Sequence, residues 1–241
     1  LEPERNLVLF HARNIGERPA QGYMRAMPEL PEDMFLQACK QLIAVDKDWF
    51  PPVDGGSIYL RPFMIASEVF LGVKPSSEYI YMVIASAAGG YFKSGAPAVS
   101  LWVSQDYSRA APGGTGAAKC GGNYASSLVA QAEAIKQGHD QVVFLDAAEN
   151  RWIEELGGMN IFFVFEDGSL QTPPLSGTIL PGITRNSLLT LAREAGLTVR
   201  EEPYAIDQWE ATQHHRTAHA GRTDLRRSAP ALFLCEFLHR Q

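Results

Sequence analysis

A chain of 241 residues, 46% hydrophobic and 20% charged, is long enough to bury one large core or two modest ones and too apolar to be disordered throughout. Its formal net charge of -6 argues against nucleic-acid or membrane-surface binding as its main business, since both favour a basic patch. Cys39, Cys120 and Cys235 are far apart, with no C-x-x-C, and no apolar run is long enough to span a bilayer. The sequence therefore points away from a disulfide framework, a zinc knuckle or a membrane span, and toward a reducing cytoplasm.

Residues 1–30 are punctuated by Pro3, Gly16, Pro19, Gly22 and Pro28 too often for a long element, although Leu7–Phe10 suits a short strand. From Pro31 the pattern predicts a helix. Proline opens the first turn, Glu32 and Asp33 complement the dipole, and Phe35, Ala38, Cys39, Leu42 and Ile43 form one stripe that should end before Asp46. After the Pro51–Gly56 loop, Ser57–Arg61 alternates with period two, which puts Tyr59 and Arg61 on one face of a strand. Glu78–Ser86 and Ala98–Ser104 read as further strands on either side of a turn at Gly89–Phe92.

Beyond Tyr124 the pattern is helical, with Leu128, Val129, Ala132 and Ile135 as its apolar stripe and Gly138 at its end. Gln141–Leu145, Arg151–Leu156 and Asn160–Glu166 read as strands, and a helix follows from about Arg185 to Ala195 with Leu188, Leu191, Ala192 and Ala195 on one face. Residues 211–241 hold four of the six histidines, five arginines and no lysine, and read as a poorly ordered tail. His214, His215 and His219 invite a metal by their spacing. Without a periodic helix or acidic neighbours they are read as part of that tail, with no metal site.

The chemistry centres on Gly113-Gly114-Thr115-Gly116-Ala117-Ala118-Lys119-Cys120-Gly121-Gly122-Asn123-Tyr124. Small residues around Lys119 keep bulk from its ammonium, and a lysine so sheltered is partly desolvated and usable as an amine nucleophile toward a carbonyl. The same residues also fit an ordinary solvated lysine in a glycine-rich turn. Glu154 and Glu155 share a strand, so alternation sends their carboxylates to opposite faces and one of them inward, where it needs a cation or donor. A protonated pyridine nitrogen would serve, and so would a structural ion pair. Gly182-Ile183-Thr184 at a helix start offers free N–H groups and a hydroxyl to a phosphate. Tyr124 either donates to a phenolate oxygen or is a core tyrosine.

GGTGAAKCGGNYASSL, IEELGGMNIFF and TPPLSGTILPGITRNSLL, with YLRPF at 59–63, resemble the branched-chain amino acid aminotransferases, of the fold-type IV class that uses pyridoxal 5′-phosphate. The resemblance covers about Met27 to Asp207, more loosely back to Val8. It implies that Lys119 forms the internal aldimine and moves the substrate's α-proton. It implies that Glu155 pairs with the pyridine nitrogen, that Tyr124 bonds the phenolic oxygen, that Leu180 lies on the ring and that Ile183 and Thr184 hold the phosphate. Arg18 matches a phosphate arginine, and Tyr59, Arg61 and Tyr91 match substrate-pocket positions.

Gly158 departs from the threonine that many relatives carry. The family's further Gly-Thr-Ala loop has no counterpart after Asp207, and the family chain starts further upstream, so both ends are expected to be missing or replaced, as a shifted reading frame would leave the tail. The resemblance implies an α/β protein with a mixed, barrel-like sheet and flanking helices: a remnant small domain at 1–90, a large cofactor-binding domain at 91–210 and the atypical tail. It also implies a cytoplasmic homodimer that moves amino groups between leucine, isoleucine or valine and 2-oxoglutarate. The alternatives are a D-amino acid aminotransferase or aminodeoxychorismate lyase of the same fold type, or a truncated, non-catalytic product.

Overall fold

The computed structural model describes residues 27–49, 57–88, 99–217 and 231–234. These fall into two compact units, 27–88 in the first and the remainder in the second. Among the described residues there are four α-helices and nine strands, and no helix is long and apolar enough to cross a membrane.

In the first unit α1, Glu32–Asp46, lies beside an antiparallel hairpin of β1, Ser57–Ala66, and β2, Tyr79–Ala88. Leu30 and Phe35 are buried against Cys39, Met64 and Tyr81. The stripe expected on this helix is buried only in its first turns: Ile43 is exposed, and the helix runs through Asp46 into a 3-10 turn, Lys47–Trp49. Alternation holds for β1, where the Arg61 guanidinium lies 5.1 Å from the centre of the Tyr59 ring, as a same-face pair requires.

The second unit carries two sheets. In the first, β3 (Leu101–Ser104) runs parallel to β4 (Gln141–Leu145), which pairs antiparallel with β5 (Ile153–Leu156). The parallel pair needs a crossover, and α2, Gly121–Lys136, supplies it. This helix is rotated from the expected orientation. Its buried residues are Asn123, Ser127, Ala130 and Ala134, while Leu128, Val129 and Ile135 are exposed. Ala130 and Ala134 meet Val142 and Phe144, and their small side chains allow an approach to the sheet that leucine or isoleucine would block. The helix closes at Gly138, with φ +85°.

The other sheet has the order β8-β7-β6-β9. β6 is Asn160–Val164, β7 is Leu170–Thr172 and β8 is Val199–Glu201. β7 and β8 are parallel, joined by α3, Ile183–Glu194. Phe162, Leu170, Leu189 and Ala192 form the core between sheet and helix. Leu189 and Ala192 therefore carry the inward face of α3, and Leu191, expected there, is exposed. On the other face of β6, Phe163 packs edge-on against Tyr204 at 4.7 Å and Trp209 at 5.4 Å. A sheet covered on both faces explains the unbroken apolar run Ile161–Phe163.

Two corrections fall at the C-terminal side. The sequence there predicts a loss of structure after about Glu210, but α4 spans Ile206–Thr217 and β9, Ala231–Leu234, pairs antiparallel with β6. Trp209 anchors the start of α4 in the core, and backbone pairing does not depend on the periodicity that the sequence lacks. The side chains of His214, His215 and His219 lie outside the described residues.

The tightest backbone approach is at Gly116, where an added Cβ would sit 2.3 Å from the Thr178 carbonyl oxygen and 2.6 Å from the Ala110 Cβ. Gly116→Ala is expected to cost about 1–3 kcal/mol through this overpacking. An unchanged urea unfolding midpoint would contradict the contact.

Candidate active site

Lys119 sits just ahead of α2, whose N-cap is Cys120. Buried Asn123 holds the loop before it. Its Nδ2 donates to the carbonyls of Thr115 and Ala118, both at 2.7 Å, and its Oδ1 accepts from the Thr115 hydroxyl at 2.6 Å. The Ala117 N–H donates to the Gly177 carbonyl at 3.0 Å, which fastens the lysine loop to residues 177–178. Lys119 is exposed, which fits the solvated lysine of a glycine-rich turn and not the sheltered alternative. Ala117 and Ala118 are buried, so their small size serves the contact between the two loops and does not enclose the ammonium.

Glu154 and Glu155 are both buried, where alternation predicts one of them inside. Their carboxylates are still kept apart. Glu154 Oε1 accepts from the Thr178 hydroxyl at 2.5 Å, and burial raises its carboxyl above the ordinary carboxylate range against that bond. Glu155 lies 2.8 Å from Arg109 Nη1 through Oε2 and accepts from Asn160 Nδ2 at 2.9 Å through Oε1. The Leu180 N–H also reaches Oε2, at 3.4 Å. Burial pushes Glu155 up to about 7, opposed by the Arg109 guanidinium, the Leu180 N–H and the Lys119 ammonium. A charge on Lys119 is therefore felt at Glu155.

Arg109 and Asn160 are not singled out by the sequence. Arg109 Nη1 also donates to the Thr178 carbonyl at 2.9 Å, so one guanidinium ties β5 to the loop that leads to α3. The available signal is the buried glutamate itself, which requires a cation or donor. Tyr107-Ser108-Arg109 precedes the lysine stretch without any motif to mark it.

Tyr124 lies one turn into α2, and its ring is 3.9 Å from the place where a Cβ on Gly158 would be. A threonine at 158 would therefore stand against that ring. Leu180 is buried, and Ile183 and Thr184 open α3 with no side-chain cap on their helix end. The second unit thus carries Lys119, Tyr124, Glu155, Leu180, Ile183 and Thr184; the Leu180 N–H reaches Glu155, and the Tyr124 ring stands beside the turn at Gly158. Tyr59 and Arg61 belong to the first unit, and Arg18 and Tyr91 lie outside the described residues. The donor set suits pyridoxal phosphate: an amine, a buried carboxylate whose three donors leave one of its four acceptor positions, a phenol, and an uncapped helix start.

The family model described as Amino-transferase class IV matches residues 20–223, beyond the limit at Asp207 expected from the motifs. The branched-chain-amino-acid aminotransferase of Mycolicibacterium smegmatis is 60% identical over 189 residues, covering 77% of this chain and 51% of its own length. That of Mycobacterium tuberculosis is 59% identical over 210 residues, covering 85% of this chain and 57% of its own length. Among solved structures, the branched-chain amino acid aminotransferase of Escherichia coli is 32% identical with a TM-score of 0.64, covering 85% of this chain and 62% of its own. The chain spans 51–60% of the length of the first curated relatives it matches.

The pH dependence of stability tests the burial of Glu155. Its carboxyl ionises near 4.5 without the fold and near 7 within it. Between these values the folded chain keeps a proton that the unfolded chain has released, so this group's contribution to stability is full below the window and falls as pH rises through it. Thermal melts of the cofactor-free chain and of Glu155→Gln across the window are expected to shift in favour of the glutamine variant as pH rises. Parallel curves would contradict the raised pKa.

Proposed function

Because the chain belongs to the class IV amino-transferase family, we propose that it binds pyridoxal 5′-phosphate and moves amino groups between branched-chain L-amino acids (leucine, isoleucine and valine) and 2-oxoglutarate. The observation that carries the reading is Glu155, a buried carboxylate held by Arg109 and Asn160 and within electrostatic reach of Lys119. The branched-chain names of the relatives support the substrate class. The bound cofactor supplies an aldehyde that accepts amino groups and a ring that withdraws electrons when its nitrogen is protonated.

Lys119 Nζ is the amine that holds the cofactor and, when released, moves the α-proton of the amino acid. Glu155 would hold the proton on the ring nitrogen; ionised, it would gain a second cationic partner beside Arg109, which offsets the burial that otherwise favours its neutral form. Tyr124 would donate its hydroxyl to the phenolic oxygen. Leu180 covers a ring face, and the N–H groups of Ile183 and Thr184, with the Thr184 hydroxyl, hold the phosphate at the positive end of α3. Arg18 is the further phosphate ligand in this proposal. Tyr59, Arg61 and Tyr91 are proposed as substrate-binding residues by their match to the family's substrate-pocket positions, and aromatic rings suit branched aliphatic chains. The proposal includes a homodimer and a division into a small domain at 1–90 and a large one at 91–210.

Incubation with pyridoxal phosphate followed by borohydride and peptide mapping is expected to give one reduced adduct, on Lys119, that Lys119→Ala abolishes. With 2-oxoglutarate as acceptor, leucine, isoleucine and valine are expected to outpace D-alanine. Equal labelling of other lysines would sink the cofactor assignment, and preference for the D-amino acid would sink the substrate assignment.

A further inference from the structure

Asn160 opens β6 and is buried. Its Nδ2 donates in two directions, to Glu155 Oε1 at 2.9 Å and to the Leu180 carbonyl at 2.8 Å. Its Oδ1 lies 2.4 Å from the place where a Cβ on Gly182 would be, so Gly182 has to be a glycine for this amide to stay where it is. The Gly182 N–H also donates to the Leu180 carbonyl, at 2.8 Å. One side chain therefore touches the carboxylate at one end of the cradle and both residues flanking Pro181 at the other, immediately before the N–H groups that open α3.

The start of α3 is fixed from its other side as well. Buried Arg185 donates through Nη2 to the Pro173 carbonyl and to Glu201 Oε2, both at 2.9 Å. The helix is thus anchored to the end of β7 and to β8, and the segment 180–182 is fastened to Glu155 by the amide of Asn160.

We infer that Asn160 is a positioning residue that makes the two ends of the cofactor cradle one unit, setting the Glu155 carboxylate and the helix start of α3 in fixed register. The inference rests on the cofactor reading proposed above. A ligand with both a ring nitrogen and a phosphate then meets both partners without reorganising either, and part of its affinity comes from that preorganisation. A residue that served Glu155 alone would weaken phosphorylated and unphosphorylated ligands equally, whereas a coupling residue weakens the phosphorylated one more.

The test is calorimetric titration of the full-length chain with pyridoxal phosphate and with pyridoxal, which lacks the phosphate. In Asn160→Leu, close in volume but without the amide, the ratio of the two affinities is expected to fall roughly tenfold, as loss of one well-placed hydrogen-bonding group implies. Glu155→Gln serves as the control and is expected to leave that ratio near its original value. Should Asn160→Leu fail to fold, Gly182→Ala carries the test. Its Cβ displaces Asn160 and is expected to weaken pyridoxal itself, and adding Asn160→Ser to it should recover part of the loss. An unchanged ratio in a folded Asn160→Leu, or unaltered pyridoxal affinity in Gly182→Ala, overturns the coupling. If the original chain gives no borohydride-stable adduct on Lys119, the cofactor reading fails and the coupling falls with it. An adduct with an unchanged ratio sinks the coupling alone.

Discussion

A carboxylate taken out of water requires partners that replace its hydration, and Glu155 is the point where this chain meets that requirement. Several kcal/mol of desolvation are at stake for each buried ion. Arg109, equally buried, supplies the opposite charge at 2.8 Å, and Asn160 supplies a second donor. Neither is adjacent to Glu155 in the strand. To bring them there, the chain places the loop before α2, the turn after β5 and the approach to α3 around a single carboxyl group. The geometry of the site follows from satisfying one buried charge.

The same contacts connect the site to the fold. Arg109 donates to the Thr178 carbonyl, and the lysine loop is fastened to Gly177 with only a glycine's width of clearance at residue 116. Asn123, with the first turn of α2, fixes the loop from the other side. This helix turns polar and small residues inward, an orientation that makes sense only if its inner face serves the loop and a close sheet. Its larger apolar side chains lie outside. Hydrophobic burial sets where the sheets and helices go, and a small number of buried amides and one guanidinium set where the functional side chains stand within them.

The second glutamate shows how an adjacent position can be buried for a different reason. Glu154 faces away from Glu155 and meets a hydroxyl in place of a cation. Both carboxyls are raised by burial and both are opposed by the Arg109 guanidinium, but only Glu155 pairs with it directly. Neighbouring carboxylates on one strand are thereby separated in role by the two faces of the sheet, with Thr178 contributing its hydroxyl to one and its carbonyl to the partner of the other.

What the sequence determined by itself was local. The strands β4 to β6, the helices that follow Pro31 and Gly182, the pairing of Tyr59 with Arg61 on one face, and the closing glycine at 138 all follow from periodicities and backbone preferences spanning a few residues. The motifs around Lys119, Glu155 and Gly182 were legible for the same reason. The inward face of α2 was not, because four apolar residues at helical spacing predict a buried stripe unless a nearby sheet demands alanines. The strands β7 and β8 are too short to show alternation. β9 pairs through its backbone, which side-chain patterning does not record. Arg109 and Asn160 carry no signature in the chain, since their importance comes from the carboxylate and the loop carbonyls that the fold brings to them. Only tertiary packing decides which donor reaches a buried charge, because desolvation is a property of the surroundings and not of the residue.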